Sequence, residues 1–135
     1  MIFVDTNILL DLATDDSLWF DWSARAIEDA AVEGPVYINA IVYAELSARY
    51  KSTDEVDEFI ATASVQLLEI PRKAAFIAAK AFGQYRNAGG TRTGVLSDFF
   101  IGAHAAALEI PILTRDARRY RTYFPDVRLI APNLN

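Results

Sequence analysis

Five short runs of apolar, largely β-branched residues alternate along this chain with longer stretches of helical periodicity, and that alternation limits the possible folds most sharply. The runs near Ile2–Val4, Val36–Ile38, Val65–Leu68, Ile112–Leu113 and Val127–Ile130 are too short to be buried helices and read as strands. Strands joined by helices form βαβ units, whose sheet is mainly parallel and covered on both faces. The expected fold is therefore an α/β, three-layer α/β/α sandwich with a mainly parallel central sheet. Helices are predicted over Asn7–Ala13, Ser17–Glu33, Ala40–Tyr50 and Thr53–Thr62, the second stopped by Gly34-Pro35. Pro71 opens a long helix towards Asn87 at its first position, and Ser97 is the candidate N-cap of an almost wholly apolar helix reaching Leu108. Asn87 to Gly94 is the flexible-looking stretch between those two helices. No repeat or long linker divides the 135 residues, so one domain spanning residues 1–135 is expected, with 53% apolar content to fill its core.

Composition removes much of enzyme chemistry. With no cysteine there is no disulfide framework, thiolate zinc site or thiol nucleophile, and the expected compartment is the reducing cytoplasm. A single histidine, His104, excludes a two-histidine ribonuclease and an HExxH zinc site. No basic leader precedes Ile2-Phe3-Val4, and the apolar stretch Phe99–Leu108 is too short to span a bilayer, so neither export nor membrane insertion is expected. Carboxylates are abundant. The net charge of −5 argues at first against a nucleic-acid partner, but it is unevenly spread. Residues 1–67 hold 13 of the 18 acids and 3 of the 13 bases, leaving residues 68–135 with a basic excess.

In open parallel sheets, ligands bind beyond the carboxyl ends of the strands, so acids directly after strands mark where a site would form. Asp5 follows Ile2-Phe3-Val4, and Asp116 follows Ile112-Leu113-Thr114-Arg115. Asp98 opens the apolar helix, whose start is expected at the same sheet edge. Glu45 shares a helical stripe with Ile41 and Val42, which are expected to face inward. Each acid has a plainer reading. Asp5 would cap the following helix, Asp98 would complement a helix dipole, and Glu45 would pair with Arg49 on the surface. Asp15, Asp16, Asp21, Glu28, Asp29, Glu33, Asp54, Glu55, Asp57 and Glu58 fall in turns or on polar helix faces and read as solvated surface.

Four acids gathered at one edge repel one another and raise their own pKa values unless cations neutralise them. Oxygen ligands without Cys or a matching His favour hard cations, so Mg2+ is the expected cofactor and Mn2+ a substitute. Two such ions support phosphodiester hydrolysis without a side-chain nucleophile, one generating hydroxide and the other stabilising the leaving oxygen.

These residues resemble the PIN-domain nucleases, and among them the VapC-type toxins of bacterial toxin–antitoxin pairs. The segments that carry the likeness are Val4-Asp5-Thr6-Asn7, Glu45-Leu46, Ser97-Asp98-Phe99-Phe100-Ile101-Gly102-Ala103 and Leu113-Thr114-Arg115-Asp116, and in order and spacing they cover essentially the whole chain. The resemblance carries the family's acidic positions onto Asp5, Glu45, Asp98 and Asp116 as catalytic and metal-binding residues. It implies a Mg2+-dependent endoribonuclease acting on structured RNA such as tRNA or rRNA, a homodimer, and a cognate VapB-type antitoxin whose tail occupies the active-site groove. Gly102 and His104 depart from the small or hydroxyl-bearing residues common at those positions. His104, about 240° around the helix from Asp98, is expected in the core or an interface.

Thr6, Asn7 and Thr114 are expected to support the acids by hydrogen bonding, although Thr6 and Asn7 serve equally well as helix caps. For the substrate, Thr114 to Phe124 is the strongest basic and aromatic cluster, with Arg115 as the expected phosphate contact and Arg86 and Arg92 gripping RNA beyond the cleavage point. Tyr120, Tyr123 and Phe124 are expected in the core, as are Trp19, Phe20 and Trp22. Two alternatives stand beside the nuclease. A phosphatase-like phosphoryl-transfer domain also places an acid after its first strand, but usually needs another two residues on, where this chain has Asn7. The other is a catalytically silent module of the same fold that binds RNA or a partner.

Overall fold

The computed structural model of the chain describes residues 1–92 and 94–132. In chain order the elements are β1 (Ile2–Val4), α1 (Thr6–Ala13), α2 (Phe20–Glu33), β2 (Val36–Asn39), α3 (Ala40–Ser47) and α4 (Thr53–Ala63). They continue with β3 (Val65–Leu68), α5 (Arg72–Asn87), α6 (Leu96–Leu108), β4 (Ile112–Leu113), α7 (Arg118–Tyr123) and β5 (Leu129–Ile130). The strands form one sheet in the order β3-β2-β1-β4-β5, and every ladder is parallel. Ile2, Phe3 and Val4 are all buried although successive side chains point to opposite faces, so both faces of the central strand are covered.

The chain runs outward from β1 to β2 and β3, then returns to lay β4 against the other side of β1. That reversal is the topological switch point, and the carboxyl ends of β1 and β4 flank it. Asp5 leaves one strand there and Thr114 the other.

Several boundaries shift from those expected: α3 stops at Ser47 instead of Tyr50, and β5 spans only Leu129–Ile130. Pro71 is the N-cap of α5 rather than its first residue; α6 begins at Leu96 with Val95 as N-cap, so Ser97 lies inside the helix; and the segment before Phe20 is a turn. There the Asp16 carboxylate accepts from the backbone of Leu18 and Trp19, closing the turn that leads into α2. The short helix α7 emerges from a stretch read only as a basic and aromatic cluster.

Helix α6 is interior, as its composition predicts, with Phe99 and Ile101 to Ala105 buried. A Cβ at Gly102 would fall 2.4 Å from the Phe124 ring, so glycine is what lets the end of α7 lie against α6. His104 is also buried. Its Nδ1 lies 3.1 Å from Asn39 Nδ2, its ring packs on Phe3, and burial holds its pKa below the usual histidine value. Among the described residues, no helix is long and apolar enough to cross a membrane.

Candidate active site

The four acids come from four different elements. Asp5 occupies the N-cap position of α1, yet its side chain makes no capping bond. Instead its Oδ2 accepts from Thr114 Oγ1 at 2.8 Å, Tyr120 OH at 2.9 Å and Asn7 Nδ2 at 3.4 Å. Glu45 projects from α3, Asp98 from the first turn of α6, and Asp116 from the loop after β4. Together with Thr6, Asn7, Leu10 and Arg119, these acids line one cavity of about 180 Å³. A larger cavity of about 510 Å³ adjoins it and shares Asp98, Asp116 and Arg119.

Each of the four carboxylates is fastened by one oxygen. Asp5 is held at Oδ2, Glu45 at Oε1 by Thr6 Oγ1 (2.6 Å), Asp98 at Oδ2 by Arg119 Nη1 (2.5 Å), and Asp116 at Oδ1 by the Arg118 amide (3.3 Å). Among the described residues no side-chain donor reaches the second oxygen of any of them, and no buried side-chain polar atom lacks a partner. The second oxygens are therefore accessible rather than sealed, and the cavity is where these acids meet.

Mutual repulsion is visible in the electrostatics. Burial pushes the Asp5 carboxyl up to about 6; the Thr114 hydrogen bond opposes the rise and the charge of Asp98 adds to it. Burial likewise raises Asp98 above the usual carboxylate range, with Arg119 pulling it down and Glu45 and Asp116 pushing it up. Tyr120 is pushed well above the usual phenol value by burial and by Asp5, so it stays a hydrogen-bond donor at neutral pH.

The supporting residues fall where the sequence places them, with more specific roles. Thr6 orients Glu45, while Thr114 holds Asp5 and also accepts from the Asp116 amide at 3.0 Å. Asn7 ties Asp5 and Thr114 to the Arg115 amide, linking β1 to the loop after β4. Glu45 differs from expectation. It is exposed rather than inward, because Val42 and Leu46 take the buried stripe of α3 and leave Glu45 at the cavity rim.

The predicted bases divide. Arg92 lines the larger cavity, and its amide donates to Tyr85 OH at 3.0 Å. The loop that carries it is shaped by Gly90, where a Cβ would stand 2.4 Å from the Tyr85 ring. Arg86 lines neither cavity and lies 5.9 Å above the Phe82 ring. Arg115 is turned away as well. Its guanidinium grips Asp11 with two nitrogens, at 2.6 and 2.9 Å, and sits 5.1 Å above the Trp19 ring. Ser23 completes that cluster on Asp11 Oδ2.

Sequence reading missed Arg119 and the polar role of Tyr120, although both were within reach of a helical spacing argument. Arg119 and Tyr120 stand three and four positions after Asp116, in the first turn of α7. The partnership of Asp11 with Arg115 left no such signal, because the two are 104 positions apart.

The donor set fits a hard divalent cation: all-oxygen, anionic, held by neighbours and open on one side. Among the described residues, no three acids stand close enough to hold one ion by themselves. Mg2+ commonly takes one or two carboxylates and keeps several waters, so a looser cradle suits it.

The PIN domain family model matches residues 2–125. No curated protein matches the chain. Among solved structures, the chain is similar to one in VapBC2 from Rickettsia felis bound to a DNA fragment from their promoter, with TM-score 0.73 and 19% identity over 97% of this chain and 98% of that one. VapBC-1 from nontypeable Haemophilus influenzae gives 0.71 and 18%, covering 97% and 98%. A toxin–antitoxin complex from Klebsiella pneumoniae gives 0.64 and 21%, covering 98% of each chain. At these identities the likeness speaks for the fold, and the family match then fixes the assignment: this chain belongs to the PIN domain family.

Proposed function

We propose that the chain is a metal-dependent endoribonuclease, the toxin of a type II toxin–antitoxin pair, which hydrolyses phosphodiester bonds of structured RNA such as tRNA or rRNA. One observation carries this reading. Four carboxylates from four elements line a single cavity at the switch point of the sheet, each fastened by one oxygen with the other left open.

Asp5, Glu45, Asp98 and Asp116 would hold Mg2+, with Mn2+ as a substitute. When bound, such ions supply a water acidified enough to attack and offset charge on the phosphate and leaving oxygen. Thr114, Tyr120 and Asn7 keep Asp5 Oδ2 engaged, so Oδ1 is the oxygen available for ligation. Thr6 does the same for Glu45. Burial around Asp5 and Asp98 limits water, which strengthens every charge interaction made there. Arg92 and Arg118 border the adjoining cavity, where the RNA strand would lie with its phosphates against them. Arg86, in the last turn of α5, would contact the strand further along. Arg115 is assigned to clasping α1 against the loop after β4. Because the similar structures are VapBC and toxin–antitoxin assemblies, a VapB-type antitoxin is the partner proposed here. A homodimer acting in the cytoplasm completes the proposal.

The test is cleavage of a structured RNA with Mg2+ and with EDTA. Asp5→Ala and Asp98→Ala should each lower the Mg2+-dependent rate at least about a hundredfold while the fold persists, because each removes a ligand outright. Full cleavage by both variants in EDTA would refute metal-dependent hydrolysis.

A further inference from the structure

The geometry points to Arg119 as a residue with two alternative anionic partners: the Asp98 carboxylate, which it holds in this structure, and a phosphate of the RNA strand once a divalent cation takes over that carboxylate. This inference rests on the metal-hydrolysis reading above.

Among the described residues lining the smaller cavity, Arg119 is the one base facing four acids. A guanidinium does not give up its proton, so this charge partly neutralises the cluster and competes with any incoming cation. Its hold on Asp98 is slight. Among the described residues a single nitrogen meets a single oxygen, and the side chains are 24% and 31% exposed. Arg115 shows the contrasting arrangement, two nitrogens on two oxygens of an acid that is only 2% exposed. A partly exposed, single-point pair contributes little to stability and is readily exchanged.

Arg119 also has somewhere to go, because it lines the larger cavity beside Arg118 and Arg92. A small rotation of its long side chain keeps the charge on the wall that the two cavities share. There its planar fork would meet phosphate oxygens, which it matches in geometry and charge. Release of Arg119 frees Asp98 Oδ2 at the same moment, so metal loading and the capture of RNA become coupled through one side chain.

The experiment is a Mn2+ titration by calorimetry on the full chain, wild type against Arg119→Gln, paired with anisotropy on a phosphorothioate RNA oligonucleotide. Arg119→Gln should bind Mn2+ about three- to tenfold more tightly, because a competing charge is gone. In saturating Mn2+ it should bind the RNA about three- to tenfold more weakly, whereas in EDTA the two proteins should bind it equally. Arg119→Lys, which keeps the charge, should return most of both effects. Unchanged or weaker Mn2+ binding by Arg119→Gln, or unchanged RNA affinity in Mn2+, overturns the two-partner role while leaving the metal reading intact. Absence of Mn2+ binding by the wild type would instead overturn the metal reading and this inference with it.

Discussion

Asp5 and Asp11 stand six positions apart at the two ends of the same short helix, and both are buried, at 5% and 2% exposure. Their treatment is opposite. Asp11 has both oxygens engaged, by Ser23 and by the two-nitrogen grip of Arg115, with Trp19 closing over the guanidinium. Asp5 has three donors on one oxygen and no basic partner among them. A buried charge that is fully paired belongs to the fold, whereas one left half-coordinated implies something still to be bound. The difference lies in partners, since burial is nearly the same.

The strongest way to break this comparison is to delete Asp11. Asp11→Ala should lower stability by about 3 kcal/mol, because Arg115 and Ser23 lose their acceptor in a mostly buried setting. Denaturant unfolding measures that loss, and cleavage per folded molecule should change much less than in Asp5→Ala. An activity collapse with unchanged stability would reverse the roles assigned to the two acids.

A smaller effect has the opposite sign. In the folded chain the Asp5 carboxyl titrates at about 6, above its ordinary value of 3.8, so between those pH values the native state binds more protons than the unfolded one. Metal-free stability should therefore fall as pH rises through that window. The shift is worth about 3 kcal/mol, and the weaker acceptor strength of an amide takes back about 1. Asp5→Asn, whose carbonyl can meet the same three donors, should thus be about 2 kcal/mol more stable than wild type near pH 7.5, with the gain gone by about pH 4. Asp11→Asn should be destabilised across that range. Thermal melts in EDTA at several pH values separate the two curves.

The smallest change sharpens the site itself. Thr6→Val removes the bond to Glu45 while keeping shape, and should cut the cleavage rate about tenfold with under about 1 kcal/mol lost from the fold. Steady-state kinetics with matched melts would show whether Thr6 works through Glu45.

What could be read from the sequence followed local physics. Strands β1, β3 and β4 were predicted at their observed bounds because short apolar runs between turns have few other readings. Asp5, Asp98 and Asp116 stood out because strand ends and helix starts are where a parallel sheet gathers its ligands. Glu45 was placed inward because a stripe argument fixes a face only to within about one helical position, which is the difference between a core and a rim. Arg119 and Arg115 show the other limit. They are four positions apart with the same side chain, yet one reaches the cavity and the other Asp11, and only the path of the chain into α7 separates them.

Gly102 gives that path a distant control. The Phe124 ring rests where a side chain at position 102 would begin, and Phe124 ends the helix that brings Arg119 and Tyr120 to the acids. One added carbon in the interior would be felt at the cavity through a displaced tyrosine, with every carboxylate still in the sequence. A screen for lost activity would score such a lesion as catalytic, although the residue touches neither metal ligand nor substrate.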